Sequence, residues 1–217
     1  MMLQHRRKNT KSEIEFKWAA PSPKTFEALL QNVKRLGARL GLKRNVILRD
    51  TYYDSPAFDL LAKGIKCRIR KTGAACELTL KTNLSRTKEM VHRNEETWVL
   101  KKAGRGQLSL NSELQLIKKI LSPRLGTISP VLLFRLTNHR LIVPIFLADG
   151  TVAEASLDRV QLNRGKRKRN IQEIEFEFVK GSETSFKRLA RKLVNETPLK
   201  PSSSPKFDTA MHLYKPY

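Results

Sequence analysis

Period-two alternation of apolar and polar residues runs through most of the chain. It predicts strands at EIEFK (13–17), VILRDTYYD (46–54), GIKCRIR (64–70), CELTLK (76–81) and HRNEETWVL (92–100). Further strands are expected at VLLFRLT from Val131, HRLIVPIFLA from His139, VAEASLDRV (152–160) and NIQEIEFEFVK (170–180), about nine in all. Helical spacing takes over in three places. In 24–40 the residues Phe26, Leu29, Leu30, Val33, Leu36 and Leu40 make one apolar stripe; the others are 112–122 and 182–196, the last capped by Ser182. Gly64, Gly73, the Gly104 to Gly106 stretch, Gly126, Gly150 and Gly181 fall between elements and punctuate them. The tail from Leu199 to Tyr217 is Ser- and Pro-rich at first and then mixed, so its opening reads as an irregular connection.

Alternation sorts charge as well as hydrophobicity. Glu13, Glu15 and Lys17 share one face of their strand against Ile14, Phe16 and Trp18, and Glu173, Glu175 and Glu177 stand against Ile174, Phe176 and Phe178. Lys66, Arg68 and Arg70 oppose Ile65, Cys67 and Ile69, while Glu77, Thr79 and Lys81 oppose Cys76, Leu78 and Leu80. For any one strand the bland explanation is a solvated polar face. Taken together, acids and bases are largely segregated onto separate strands, although like charges two residues apart repel. Carboxylates that bind a hard divalent cation, with Arg and Lys that bind phosphate oxygens, require this segregation. With the apolar faces packed on the predicted helices, the strands describe a barrel with a wet, charged interior.

Composition narrows the partner. Forty-three Lys and Arg against 20 Asp and Glu give a net charge of +23, which attracts anions without saying which kind. The 217 residues fit one domain, 1–217. Cys67 and Cys76 are too few for a disulfide framework or a thiol metal cluster and read as reduced, buried thiols. The N-terminal segment lacks the apolar centre of a signal peptide, and LIVPIFLA (141–148) is too short to span a bilayer, so a cytoplasmic chain with no membrane partner is expected.

These residues resemble a known family. ExExK near the N-terminus is the hallmark of CYTH, or triphosphate tunnel, domains, and here it reads EIEFK. DTYYDSPAFDLLAKGIKCRIRK (50–71) resembles the family's DTYYD-like strand, leucine-containing link, Gly and RxR strand. ELTLK, SLDRV, EIEFEF with Gly181 after it, and a late lysine in SSPKF follow in order, so the resemblance runs from Lys11 to Asp208. It implies an α+β fold, an antiparallel eight-stranded β-barrel (tunnel) with helices packed outside. It further implies Mg²⁺ or Mn²⁺ held by Glu13, Glu15, Asp158 and members of Glu173, Glu175 and Glu177. Phosphate binding falls by resemblance to Lys17, Arg68, Arg70, Lys81 and Lys206, with Glu13, Glu15 and Lys17 the catalytic set. A further family arginine is offered by both Arg135 and Arg140, of which Arg140 opens the next strand. Arg93 and Glu95 share a strand face and either line the tunnel or form a structural ion pair.

The activity implied is hydrolysis of inorganic triphosphate, with a class IV-type adenylate cyclase or a thiamine or nucleoside triphosphatase as alternatives. No His or Cys nucleophile is needed; His5, His92, His139 and His212 lack ligand spacing. The expected partner is a triphosphate-containing small molecule, the chain acting as a monomer or homodimer. A non-enzymatic reading rests on NRGKRKRN (163–170), where Arg164, Lys166, Arg167, Lys168 and Arg169 cluster as a polyphosphate- or nucleic-acid-binding hairpin tip or as a solvated basic turn.

Overall fold

A computed structural model describes residues 5–87, 90–100, 109–164, 167–197, 199–202 and 206–214. The strands are β1 (His5–Ala19), β2 (Arg39–Leu40), β3 (Arg44–Asp54), β4 (Ile65–Thr72), β5 (Ala75–Arg86), β6 (Met90–Leu100), β7 (Val131–Phe146), β8 (Val152–Arg164) and β9 (Arg167–Lys180). The helices are α1 (Pro23–Arg35), α2 (Asp59–Ala62), α3 (Leu110–Leu125), α4 (Glu183–Glu196) and α5 (Lys206–Tyr214). The strands pair in the order β2-β7-β3-β4-β5-β6-β1-β9-β8, and β7 also pairs with β8. The two-residue β2 aside, hydrogen bonding therefore returns on itself through eight long strands. This is the expected α+β class, an antiparallel eight-stranded barrel with helices.

Two expected strands, from Val131 and from His139, are one: β7 runs through Asn138 and His139, which pair with Val160 and Arg159. The polar Asn138-His139 step resembles a boundary but lies inside the ladder, with Asn138 buried. Helix α1 ends at Arg35, before the expected 40. Leu36 and Gly37 turn their N–H groups back to Asn32 and Lys34, Gly37 takes φ +85°, and Leu40 falls in β2.

The chain divides into two compact units. In the first (1–12, 48–84 and 93–136), Leu116, Ile117 and Leu121 of α3 pack with Cys67 and Ile69 of β4, Leu78 and Leu80 of β5, and Trp98 of β6. Ser109 caps α3 by accepting from the Ser112 N–H. The Tyr53 hydroxyl donates to Glu113 of α3, whose Oε1 lies 2.8 Å from Lys71 Nζ, so this buried carboxylate ties the helix to two strands. Both cysteines are buried thiols, with no disulfide between them.

In the second unit (13–47, 85–92 and 137–217), the apolar stripes of α1 and α4 cover the apolar face of β1 and β9. Phe26, Leu29 and Val33 come from α1, and Phe186, Leu189 and Leu193 from α4, against Ile14, Phe16, Trp18, Ile174 and Phe176. The rings of Phe176 and Phe186 stack with centroids 4.9 Å apart. Ser182 caps α4 by accepting from the Ser185 N–H, as expected.

Candidate active site

The charged positions that alternate with the covered Ile14, Phe16 and Trp18 of β1 are themselves buried: Glu13 is 5% exposed, Glu15 0% and Lys17 9%. An ordinary amphipathic strand would leave this face in water, so the charged face of the second unit lines an interior. Register brings the charges together. Lys17 lies opposite Glu175 and Glu15 opposite Glu177 across β1 and β9. Asp158 lies opposite Glu173 across β8 and β9, and Arg140 opposite Asp158 across β7 and β8.

Carboxylate oxygens of Asp158, Glu173 and Glu175 all lie within 4.8 Å of one another, and all three residues are buried. Three cations of the chain hold them. The Arg140 guanidinium forks onto Asp158 through two bonds of 2.6 Å and also donates to Glu175. Lys17 donates to Glu175 and lies 3.3 Å from Glu15 and 3.9 Å from Glu173. Lys206 donates to Asp158 and, at 2.8 Å, to Glu175, and lies 3.1 Å from Glu173.

Burial works against every one of these charges, yet the pairing prevails. Lys17 is lifted above the ordinary lysine range: burial pulls it down, and Glu15, Glu175 and Glu173 more than offset that. Lys206 rises likewise through Asp158, Glu175 and Glu173, and Arg140 through Glu175 and Asp158. Burial pushes the Asp158 and Glu175 carboxyls up, but Lys206 and Arg140 beside both, with Lys17 beside Glu175, hold them below the usual carboxylate range.

Local structure explains how Lys206 arrives. Residues 199–202 form no free connection; they run beside β1, where Ala19 N–H donates to Lys200 O and Ser202 N–H to Lys17 O, with a bridge between Trp18 and Pro201. Helix α5 then starts at Lys206 and anchors through Phe207, Ala210 and Met211. Of the two candidate arginines, Arg140 reaches the carboxylates, whereas Arg135 belongs to the first unit and is exposed. Glu177 is half-buried beside Glu15 and Glu154 in register.

The first unit carries the other cations. Arg68 is buried, and Arg70 and Lys81 are half-buried. Sequence reasoning named these residues but not the acid that orients them. Asp50, 1% exposed, accepts two 2.7 Å bonds from Arg70 and lies 3.6 Å from Arg68. Its position opposite Arg70 follows from the β3–β4 register. Glu95 pairs with Lys81 and lies 3.7 Å from Arg93, joining β5 to β6. Of the basic cluster, Gly165 and Lys166 lie outside the described residues, as do Gly104 to Gly106; Lys168 and Arg169 are exposed on β9.

The donor set suits a hard cation. Asp158, Glu173 and Glu175 offer oxygen only, in the number from which Mg²⁺ or Mn²⁺ takes its protein ligands, and the grouped residues include neither sulfur nor imidazole. The surrounding Arg and Lys suit phosphate oxygens.

A CYTH domain family model matches residues 11–209. No curated protein matches the chain by sequence. Among solved structures, it is similar to a Hippeastrum protein assigned as an adenylyl cyclase and described as having a dominant triphosphatase activity. That pair shares 20% identity at a TM-score of 0.60, over 94% of this chain and 97% of the other. An assigned adenylate cyclase from Bacillus halodurans is 17% identical at a TM-score of 0.59, over 95% and 99%. A protein from Pyrococcus horikoshii is 17% identical at 0.53, over 93% and 99%.

Proposed function

The chain belongs to the CYTH domain family, and from that premise we propose that it is a divalent-metal-dependent hydrolase of triphosphates, with inorganic triphosphate as its substrate. One observation carries the reading: the buried carboxylates of Asp158, Glu173 and Glu175 converge within 4.8 Å beneath Lys17, Arg140 and Lys206. Buried charges of both signs in such number cost desolvation energy that a purely structural core would avoid.

Mg²⁺ or Mn²⁺ would be held by Asp158, Glu173 and Glu175, with Glu13, Glu15 and Glu177 on the same charged face. When bound, the metal supplies positive charge to the phosphate oxygens and lowers the pKa of a water for attack on phosphorus. Lys17, Arg140 and Lys206 bind the triphosphate by exchanging carboxylate partners for phosphate oxygens. Arg68, Arg70 and Lys81 take the phosphate-binding role that the family motif gives them, Arg70 with its fork held by Asp50. Fixed cations of this kind offset charge that builds on the departing pyrophosphate. The Cys67 thiol is no candidate nucleophile, because burial, with Asp54 nearby, raises its pKa far above the thiolate range.

The dominant triphosphatase activity described for the Hippeastrum protein supports hydrolysis over cyclisation. A cyclase remains the second reading, favoured by the assignment of the Bacillus halodurans protein. The test is to supply inorganic triphosphate, ATP and thiamine triphosphate with Mg²⁺ or Mn²⁺ and to measure phosphate, pyrophosphate and cyclic AMP. Phosphate and pyrophosphate from inorganic triphosphate, without cyclic AMP from ATP, is the expected result. Full activity in a Glu173→Gln/Glu175→Gln variant would sink the carboxylate mechanism, whereas full activity in Glu13→Gln/Glu15→Gln would remove only those two from it.

A further inference from the structure

The net charge of +23 is far larger than the candidate site uses, and the cations of that site are matched by carboxylates. Elsewhere in the second unit, two concavities adjoin and share Gly37 and Ala38. The larger, about 550 Å³, is rimmed by Lys34, Arg39 and Lys43, and the smaller, about 220 Å³, by Arg188 and Lys192. All five are exposed, and among the described residues none has a salt-bridge partner. Their sequence neighbours behave differently: Arg35 lies 2.7 Å from Glu196 and Arg44 3.4 Å from Glu154. Five cations without a salt-bridge partner among the described residues thus rim one concave stretch of the second unit's surface. Asp149 in the smaller lining accepts from the Ser185 side chain and, at 2.9 Å, from the Thr151 N–H, which holds its carboxylate ionised, so the two linings together carry five cationic charges against one anionic.

We propose that this double trough binds the phosphate backbone of single-stranded nucleic acid. A linear polyanion can run through both concavities and meet three cations in one and two in the other, whereas a single small phosphate ester would occupy only one. Gly37, where an added Cβ would meet nothing within 4 Å, leaves room for a backbone to approach, and half-buried Leu40 offers apolar contact to sugars or bases without reading sequence. The Arg39 guanidinium sits 5.2 Å over the Phe146 ring, which holds its planar face in place. The proposal is independent of the triphosphatase reading, because none of its residues belongs to the carboxylate site.

The probe is a fluorescein-labelled 20-nucleotide RNA with a 5′-hydroxyl end, followed by anisotropy between 50 and 200 mM salt. Five phosphate contacts give a log–log salt slope of about −3.5, at roughly −0.7 per contact, with a Kd near the micromolar range at physiological salt. Lys43→Glu/Lys192→Glu, one change in each concavity, is expected to weaken binding about tenfold or more and to flatten the slope by about 1.4. Lys118→Glu/Lys119→Glu, at two exposed positions of α3, makes the same change in net charge and leaves the slope unaltered. Both variants keep the wild-type thermal midpoint and triphosphate turnover. Equal losses in the two variants would reduce the effect to net charge and overturn the proposal. So would absence of RNA binding, or a trough variant that loses only inorganic polyphosphate or phosphatidylserine vesicles.

Discussion

Lys206 Nζ lies 2.8 Å from Glu175 Oε1, so the last helix delivers a cation of the chain into the cluster of carboxylates proposed to hold metal. Metal and lysine then compete for the same oxygens until phosphate draws the lysine away. Divalent metal is expected to bind the protein alone weakly, and about tenfold tighter with a non-hydrolysable triphosphate analogue, within the usual range of coupling between two ligands. Lys206→Met tightens Mn²⁺ binding by the free protein and raises KM for triphosphate. Paramagnetic resonance of Mn²⁺ with and without the analogue measures the first effect and steady-state kinetics the second. Unchanged metal affinity in Lys206→Met would remove the competition.

Asp50 is expected to act through Arg70 and Arg68. Asp50→Ala frees the Arg70 fork and removes the carboxylate 3.6 Å from buried Arg68, so KM rises by about 10- to 100-fold through misplacement of the phosphate contacts. Breaking a buried pair costs stability too, on the order of 3 kcal/mol. The two effects separate in Asp50→Asn, which keeps an acceptor and recovers part of the stability but does not restore KM. Comparing kcat, KM and urea midpoints for both variants decides whether Asp50 positions the arginines or only supports the fold.

The charged face of β1 and β9 was legible because a strict period of two leaves no other placement for Glu13, Glu15, Lys17 and Glu173, Glu175, Glu177. The burial of that face was legible only as a segregation of charge. Asp50 was not, because its meeting with Arg70 depends on how Asp54 and α2 fold the intervening link. The Asp54 carboxylate accepts from Ser55, Leu60 and Leu61 N–H groups, which sets the turn and hence the β3–β4 register. Helix α5 did carry a signal in Phe207, Ala210 and Met211 at helical spacing, but the Ser- and Pro-rich run before it masked the start. The unpaired trough depends on which neighbouring cations find an acid. Arg35 and Arg44 reach acids on distant segments, and no local pattern distinguishes them from Lys34 and Lys43.

Gly181 follows β9 at φ +102°, and a Cβ there would lie 2.6 Å from Thr151 Cα. Backbone atoms cannot yield as a flexible side chain does, and the next residue's N–H already bonds Thr151 Oγ1 at 3.0 Å. Gly181→Ala is therefore expected to cost about 2–3 kcal/mol, from strain and collision together. Gly150, at φ +82° with open space around its Cβ position, isolates the conformational part. Gly150→Ala should cost only about 1 kcal/mol. Chemical denaturation of the two variants tests the difference, and equal losses would refute the collision.

Alkaline pH tests the first unit in the same way. Burial, together with Asp54, raises the Cys67 thiol, and burial with the Glu113 hydrogen bond raises the Tyr53 hydroxyl. A folded pKa above the unfolded value means that the contribution is fully present below the unfolded pKa, about 8.5 for Cys and 10 for Tyr. As pH rises past those values the unfolded chain ionises first, so stability falls by up to about 1.4 kcal/mol per pH unit for each group. Unfolding free energy should thus be flat from pH 7 to 8.5, decline from there through Cys67, and steepen above pH 10 as Tyr53 joins, followed by Lys17 and Lys206, whose pairing with carboxylates is lost on the same side. Cys67→Ala lowers stability at pH 7 through its small cavity but loses the decline that Cys67 contributes between pH 9 and 10. Tyr53→Phe spares that segment and softens the fall above pH 10. Urea titrations at half-unit intervals separate the three curves, and a Cys67→Ala curve parallel to wild type across pH 9 to 10 would show that the buried thiol is not responsible.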